Sequence, residues 1–177
     1  MDKEELIHLL KECKAIQFGH FILTSGASSD YYIDIKKAST NPKILKKIAE
    51  AMATYTKGYD VLAGMELGAV PLVVALSLET GIPYVIIRKE KREHGTGKQI
   101  EGGDVKDKHV LIIEDVTTSG GSVLKTVSVL KEGKASVDTV VCVVDRESGT
   151  REKLDPLGIR FIPLLSVKDI LKNREVQ

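Results

Sequence analysis

The stretch Val110–Leu124, Val-Leu-Ile-Ile-Glu-Asp-Val-Thr-Thr-Ser-Gly-Gly-Ser-Val-Leu, constrains the fold of this chain more than any other. Its first residues, Val110–Ile113, form a short unbroken apolar run, the pattern of a parallel strand buried on both faces. Glu114 and Asp115 follow at the strand's carboxyl end, and then a loop of small residues, Thr117, Thr118, Ser119, Gly120 and Gly121. A helix is predicted from near Ser122, with Val123, Leu124, Val127 and Leu130 on one stripe and Gly133 as its stop. Small residues between a strand and a helix let backbone N–H groups converge on an anion at the positive end of the helix dipole. The loop reads as a phosphate cradle.

An acidic pair beside a phosphate must face something else. The partners that fit are a ribose diol, which donates hydrogen bonds to carboxylates, or a Mg2+ ion carried by the phosphates. No Gly-Lys-Ser/Thr ends the loop and Gly-x-Gly-x-x-Gly is absent, so neither a Walker loop nor the dinucleotide fingerprint applies. The competing reading is an ordinary strand-to-helix turn with acidic caps.

The rest of the chain supplies a sheet for this unit. Asp2 and Glu5 make a capping-box-like start to a helix whose Leu6, Leu9, Leu10 and Cys13 share one face. Phe21–Leu23 and Tyr31–Ile35 read as two short strands joined by the turn-rich Ser25–Asp30, a small hood outside the main sheet. Tyr31 and Tyr32 in that hood suit either stacking on a planar ligand or simple half-burial in a strand. Asn41 and Pro42 cap a helix with the stripe Ile44, Leu45, Ile48, Ala49, Met52 and Tyr55, ending at Gly58. From there strands and helices alternate: strands at Val61–Ala63, Tyr84–Ile87, Val110–Ile113 and Thr139–Val144, with a buried helix at Val70–Leu78 followed by Gly81 and Pro83. Phe161–Leu164 adds an edge strand, since Pro163 argues against a central place, and Ser166 caps a short last helix. Repeated units of this length imply an α/β fold with a mostly parallel sheet, right-handed crossovers and helices on both faces.

In such sheets ligands sit beyond the carboxyl ends of the strands. One strand runs into Gly64-Met65-Glu66-Leu67-Gly68, the next into the long polar stretch Arg88–Asp104, the third carries the acidic pair, and the fourth ends in Asp145-Arg146-Glu147. Residues 88–104 hold five Lys or Arg residues, His94 and the hinge-like Gly95, Gly97, Gly102 and Gly103. They are long for a connection and nearly without apolar anchors. This composition suits a lid over a polyanion, and it also suits a plain solvated loop.

The totals exclude other classes. A chain of 177 residues suits one domain, 1–177, with the helix and hood in 1–40 and the lid in 88–104. With 42% hydrophobic residues, 29% charged and a net charge of +1, it does not read as a nucleic-acid binder held by overall charge. The longest nearly unbroken apolar stretch, Val70–Leu78, is too short to span a bilayer, and no signal peptide precedes the first helix. Cys13 and Cys142 sit far apart in apolar patterns, as buried thiols in a reducing cytoplasm would.

Glu114-Asp115-Val116-Thr117-Thr118-Ser119-Gly120-Gly121-Ser122 after an apolar strand resembles the phosphoribosyl-diphosphate signature of type I phosphoribosyltransferases. The stretch Arg88-Lys89-Glu90-Lys91-Arg92-Glu93-His94-Gly95, the hood Ser25-Gly26 with Asp30-Tyr31-Tyr32, and Asp145-Arg146 make it similar to the orotate branch. The resemblance implies transfer of a 5-phosphoribosyl group from 5-phosphoribosyl 1-diphosphate to orotate, with Mg2+ held mainly through the diphosphate and no direct protein ligand. It implies that Thr117–Ser122, with Val116, hold the 5'-phosphate, and that Glu114 and Asp115 face the ribose hydroxyls. Arg88, Lys89, Arg92 and His94 would contact the diphosphate, and Thr118, Arg146, Tyr31 and Tyr32 the orotate. Arg92, His94 and Asp115 would be the catalytic groups. The family is dimeric, with the lid reaching into the neighbour's site. Physical chemistry agrees, since cations at a departing diphosphate and carboxylates near an oxocarbenium-like sugar stabilise the charges that develop.

The sequence departs from the family pattern in three places. Arg92 stands where many relatives carry a lysine, Thr24 where bacterial members often have one, and Glu66-Leu67-Gly68 replaces a Tyr-Lys pair. Two rivals remain on sequence alone, a purine phosphoribosyltransferase and a ligand-sensing transcription regulator of the same fold. The regulator would carry an added DNA-binding segment or a basic face.

Overall fold

The computed structural model describes residues 2–22, 26, 28–90 and 98–174. Helix α1 (Lys3–Glu12) buries Leu6, Ile7 and Leu10. Asp2 stands at its N-cap position, yet its side chain makes no capping hydrogen bond, and Glu5 instead accepts from Lys47 at 2.7 Å. The anticipated capping box does not form.

Strands β1 (Ile16–Ile22) and β2 (Ser28–Ile33) pair antiparallel as a separate two-stranded sheet, which is the hood. The first of them starts well before the expected Phe21, because Gln17, Gly19 and His20 break the apolar pattern without breaking the pairing of Ile16 with Ile33. Leu23, its expected end, lies outside the described residues. The second strand stops at Ile33 rather than Ile35. Asp34 turns the chain into the short helix α2 (Ile35–Ser39) by accepting the N–H of Lys36 at 3.2 Å. Helix α3 (Pro42–Ala53) begins as expected, with the Asn41 side chain accepting from the Lys43 and Ile44 N–H groups and Pro42 in the first turn.

The main sheet follows. It holds β3 (Val61–Met65), β4 (Tyr84–Ile87), β5 (Ile100–Glu101), β6 (His109–Thr117), β7 (Ser136–Asp145) and β8 (Arg160–Ser166), in the order β5-β4-β3-β6-β7-β8. Every pairing is parallel except that of β4 with β5. The connecting helices are α4 (Val70–Thr80), α5 (Gly121–Glu132), α6 (Thr150–Leu154), which runs into a 3-10 turn at Asp155–Leu157, and α7 (Val167–Lys172). Strand β8 is the edge strand that Pro163 implied, and Ser166 with Asp169 closes a capping box on α7.

Alternation along the strands builds two apolar layers. Leu62, Leu111 and Ile113 pack with α1, α3 and α4, while Ala63, Ile112 and Val140 pack with Val123, Val127 and Leu130 of α5. Helices therefore cover both faces. Cys142 is buried in the second layer and Cys13 is half-buried; neither is in a disulfide. Among the described residues no helix is long and apolar enough to cross a membrane.

Two differences from the sequence reading bear on the site. Strand β6 continues beyond Ile113 to Thr117, because its ladder with β7 persists as far as Thr117 opposite Asp145. Glu114 and Asp115 thus lie inside the strand, not after it. Within the stretch 88–104, Ile100 and Glu101 form the edge strand β5, paired with Ile87 and Ile86. Polar neighbours hid this two-residue strand.

Candidate active site

The carboxyl ends of β3, β4, β6 and β7 open on one side of the sheet, because these strands are parallel. A cleft of about 340 Å3 lies there, lined by Lys36, Glu66, Gly68, Lys89, Glu114, Asp115 and Ser122 among others. Beside it, a smaller hollow of about 150 Å3 is lined by Thr117–Val123 together with Glu114 and Val116. Glu114 borders both the cleft and the cradle, whereas Asp115 borders the cleft.

The cradle is shaped by the backbone. Gly120 has φ of 76° and an added Cβ would come within 3.2 Å of the Thr150 backbone, so both conformation and space demand glycine. Gly121 opens α5, and Leu124 donates back to Gly120 O at 2.9 Å. The first N–H groups of a helix have no acceptor within it, which leaves those of the first turn for an anion. Helix α6 supports the loop from outside: Thr150 Oγ1 donates to Thr118 O at 3.0 Å, and Lys153 Nζ donates to Ser119 O. Sequence reasoning missed α6 and both props. Gly149 before Thr150, a left-handed N-cap with φ of 102°, was the available signal.

Glu114 is almost wholly buried, and its Oε2 finds no hydrogen-bond partner among the described residues. Burial pushes its carboxyl well above the usual carboxylate range, and the Asp115 charge beside it acts in the same direction. The Asp115 N–H, 3.2 Å from Glu114 Oε1, and the positive Lys89 oppose this without cancelling it. Asp115 is half-buried, and its carboxylate packs against the backbone of Gly68 so tightly that a Cβ there would collide with it.

This environment carries a prediction. A folded-state pKa above the unfolded one means that Glu114 favours the fold below the ordinary glutamate range and disfavours it increasingly as pH rises toward the folded value. Glu114→Gln should therefore be more stable than the parent at neutral pH, by on the order of 1 kcal/mol, and unfold at a higher temperature, with little difference near pH 4. Thermal unfolding from about pH 4 to pH 8 checks this. A gap that stays constant with pH would show that Glu114 is not the group held protonated.

At the end of β7, Asp145 accepts from Thr117 Oγ1 at 3.0 Å and from the Glu147 N–H at 2.9 Å, while the Arg146 N–H donates to Thr117 O at 2.9 Å. These bonds clip β6 to β7 and fix where Arg146 leaves the strand. Its guanidinium lies 5.1 Å over the Tyr31 ring, and its Nε is buried with no hydrogen-bond partner among the described residues. Tyr32, the next residue along β2, points to the other face, pairs with Phe21 at 5.6 Å and is 40% exposed. Of the two tyrosines, only Tyr31 has its ring against Arg146.

The loops after β3 and β4 are joined. The Lys89 N–H donates to Glu66 Oε1 at 2.8 Å, and the Gln99 side chain donates to Arg88 O at 2.9 Å. A cis peptide bond joins Glu66 and Leu67. Lys89 lines the cleft, whereas the Arg88 guanidinium turns to Glu101 of β5 at 3.7 Å. Arg92 and His94 lie outside the described residues. No three His, Cys, Asp or Glu side chains among the described residues cluster as a metal site.

Residues 35–159 match the family model described as the phosphoribosyl transferase domain. Over 174 residues, covering 96% of each chain, the protein is 52% identical to the orotate phosphoribosyltransferase of Pyrococcus abyssi. The chain belongs to the orotate phosphoribosyltransferase family. Among solved members, the enzyme from Aeropyrum pernix superposes with a TM-score of 0.87 at 28% identity, over 97% of this chain and 99% of that one. The Mycobacterium tuberculosis orotate phosphoribosyltransferase, solved in complex with 5-phospho-alpha-D-ribosyl 1-diphosphate, gives 0.80 at 29% identity, over 96% and 99%. The type I phosphoribosyltransferase fold read from the sequence is thus the fold of this family.

Proposed function

We propose that this protein transfers the 5-phosphoribosyl group of 5-phosphoribosyl 1-diphosphate to orotate, releasing diphosphate and giving orotidine 5'-phosphate for pyrimidine nucleotide synthesis. The observation that carries this reading is the Arg146 guanidinium, whose buried Nε has no partner among the described residues, standing over Tyr31 with its backbone bonded to Thr117 of the cradle. An arginine fork matches the planar carboxylate of orotate, and the Tyr31 ring beside it offers a face for a planar base.

The roles divide along the cleft. Backbone N–H groups from Thr118 to Ser122 would receive the 5'-phosphate, and Glu114 and Asp115 would accept from the ribose hydroxyls. A sugar hydroxyl is a donor, so it would satisfy a Glu114 Oε2 that has no partner among the described residues. Mg2+ would be held mainly through the diphosphate at the same edge, where Asp115 adds negative charge. When bound, it would neutralise leaving-group charge. Lys89, with Arg92 and His94, would add positive charge at the diphosphate as the anomeric C–O bond breaks, and Arg88 would join them only by leaving Glu101. The base nitrogen attacks directly, so no covalent enzyme intermediate is needed.

The functional unit is a homodimer in this reading. The outer side of α4 supports it, since Leu78 is 84% exposed and Leu67, in the loop before that helix, is 70% exposed. The two free thiols fit a reducing, cytoplasmic setting. Initial rates with orotate, adenine and hypoxanthine, each with 5-phosphoribosyl 1-diphosphate and Mg2+, test the reading. Orotate alone should be consumed. Turnover of a purine instead would move the protein to another branch, and turnover of none would point to a binding protein.

A further inference from the structure

A site for a sugar carrying three phosphate groups needs cations on the diphosphate side, and the described lining of that cleft contains two, Lys36 and Lys89. Lys89 is expected from the sequence. Lys36 comes from a different part of the chain, the hood-to-sheet crossing, where the alternating pattern reads as strand. The fold turns there instead. Asp34 ends β2, caps α2 through the Lys36 N–H at 3.2 Å and accepts from Lys36 Nζ at 3.0 Å with the same Oδ1. The Asp34 carboxylate is 17% exposed, so the anchor is fixed, while the lysine side chain is 54% exposed and reaches into the cleft that Asp115, Glu66 and Gly68 border.

We propose that Lys36 is a substrate-binding cation of this site, contacting the diphosphate group of 5-phosphoribosyl 1-diphosphate. An ammonium has three donors, and its contact with Asp34 leaves others for phosphate oxygens. The cleft also needs the charge. Glu66 and Asp115 both line it, and a highly charged anion beside two carboxylates requires compensation beyond Lys89. One Glu66 oxygen is engaged by the Lys89 N–H at 2.8 Å. The hydrogen bond to Asp34 raises the Lys36 pKa against an opposing desolvation, and the charges of Asp34 and Asp115 add to the rise, so the ammonium stays charged wherever the enzyme works. A point charge on a flexible stem suits a diphosphate, whose oxygens present no single plane.

The inference rests on the function proposed above, and its test is separable from that function. In Lys36→Ala, KM for 5-phosphoribosyl 1-diphosphate and the dissociation constant of magnesium diphosphate should each rise about 10-fold, the loss of one charge-assisted contact in a half-open cleft. KM for orotate and the unfolding temperature should change little, and Lys36→Arg should recover part of the loss. Calorimetric titration with magnesium diphosphate needs no turnover, so it decides the role of Lys36 even if the parent protein fails to consume orotate, a failure that would overturn only the function. Diphosphate binding within twofold of the parent would overturn the proposal, as would an equal loss of orotate binding, which would mark Lys36 as structural.

Discussion

Gly68→Ala is expected to lower kcat/KM for 5-phosphoribosyl 1-diphosphate by about 10²-fold while leaving the unfolding temperature close to that of the parent. The reason lies in what the new methyl would meet. A Cβ on Gly68 would overlap the Asp115 carboxylate, with even the more distant Oδ1 at 2.9 Å. A side chain can rotate aside at modest energetic cost, whereas a backbone clash cannot. Gly68 also has no left-handed φ that alanine would find strained. The fold should therefore survive, with Asp115 turned from the direction in which it would meet the ribose hydroxyls. Displacing a positioning group by about 1 Å is enough for a loss of that size. Steady-state kinetics alongside thermal unfolding separates the two effects. Activity within threefold of the parent would show that Asp115 is free to work in more than one orientation.

Arg92→Ala should lower kcat by roughly 10²-fold or more, the scale on which one preorganised donor acts on a developing charge. The charge in question is that of the departing diphosphate, so the effect should fall on kcat more than on KM for orotate. Arg92→Lys should restore much of the rate, because a point charge can replace a fork against a diphosphate. If the segment acts across a dimer, mixing Arg92→Ala chains with Asp115→Asn chains should regenerate activity, since one site of each mixed dimer then carries neither lesion. Subunit exchange without recovery would place each Arg92 in its own chain's site.

Much of this arrangement was legible in the residues. The apolar run Val110–Ile113, the small residues from Thr117 to Gly121 and the stop at Gly133 carry strong local signals, and the strand, cradle and helix lie where those signals put them. Pro163 at the edge and Asn41-Pro42 at a helix start are equally local. What escaped was set by partners distant in sequence. Strand β6 runs on through Glu114 and Asp115 because β7 continues beside it, and no property of two adjacent carboxylates announces that. Arg88 turns toward Glu101 because β5 pairs back onto β4. Asp34 converts an alternating pattern into a helix start, which carries Lys36 from a presumed strand face to the cleft. Gly68 reads as a loop glycine until Asp115 is seen against it.

The central claim is that a phosphate cradle and a carboxylate-reading arginine meet where β6 and β7 end, and the ratio of kcat/KM for orotate to that for uracil tests it most directly. The two bases differ by the carboxylate that Arg146 is proposed to bind. The parent should favour orotate strongly, and Arg146→Ala should reduce that ratio by roughly 30- to 150-fold, the equivalent of about 2–3 kcal/mol for a lost charge-assisted pair. The loss should appear in KM for orotate, with KM for 5-phosphoribosyl 1-diphosphate nearly unchanged. A ratio that survives the substitution, or a loss confined to the diphosphate sugar, would contradict the account.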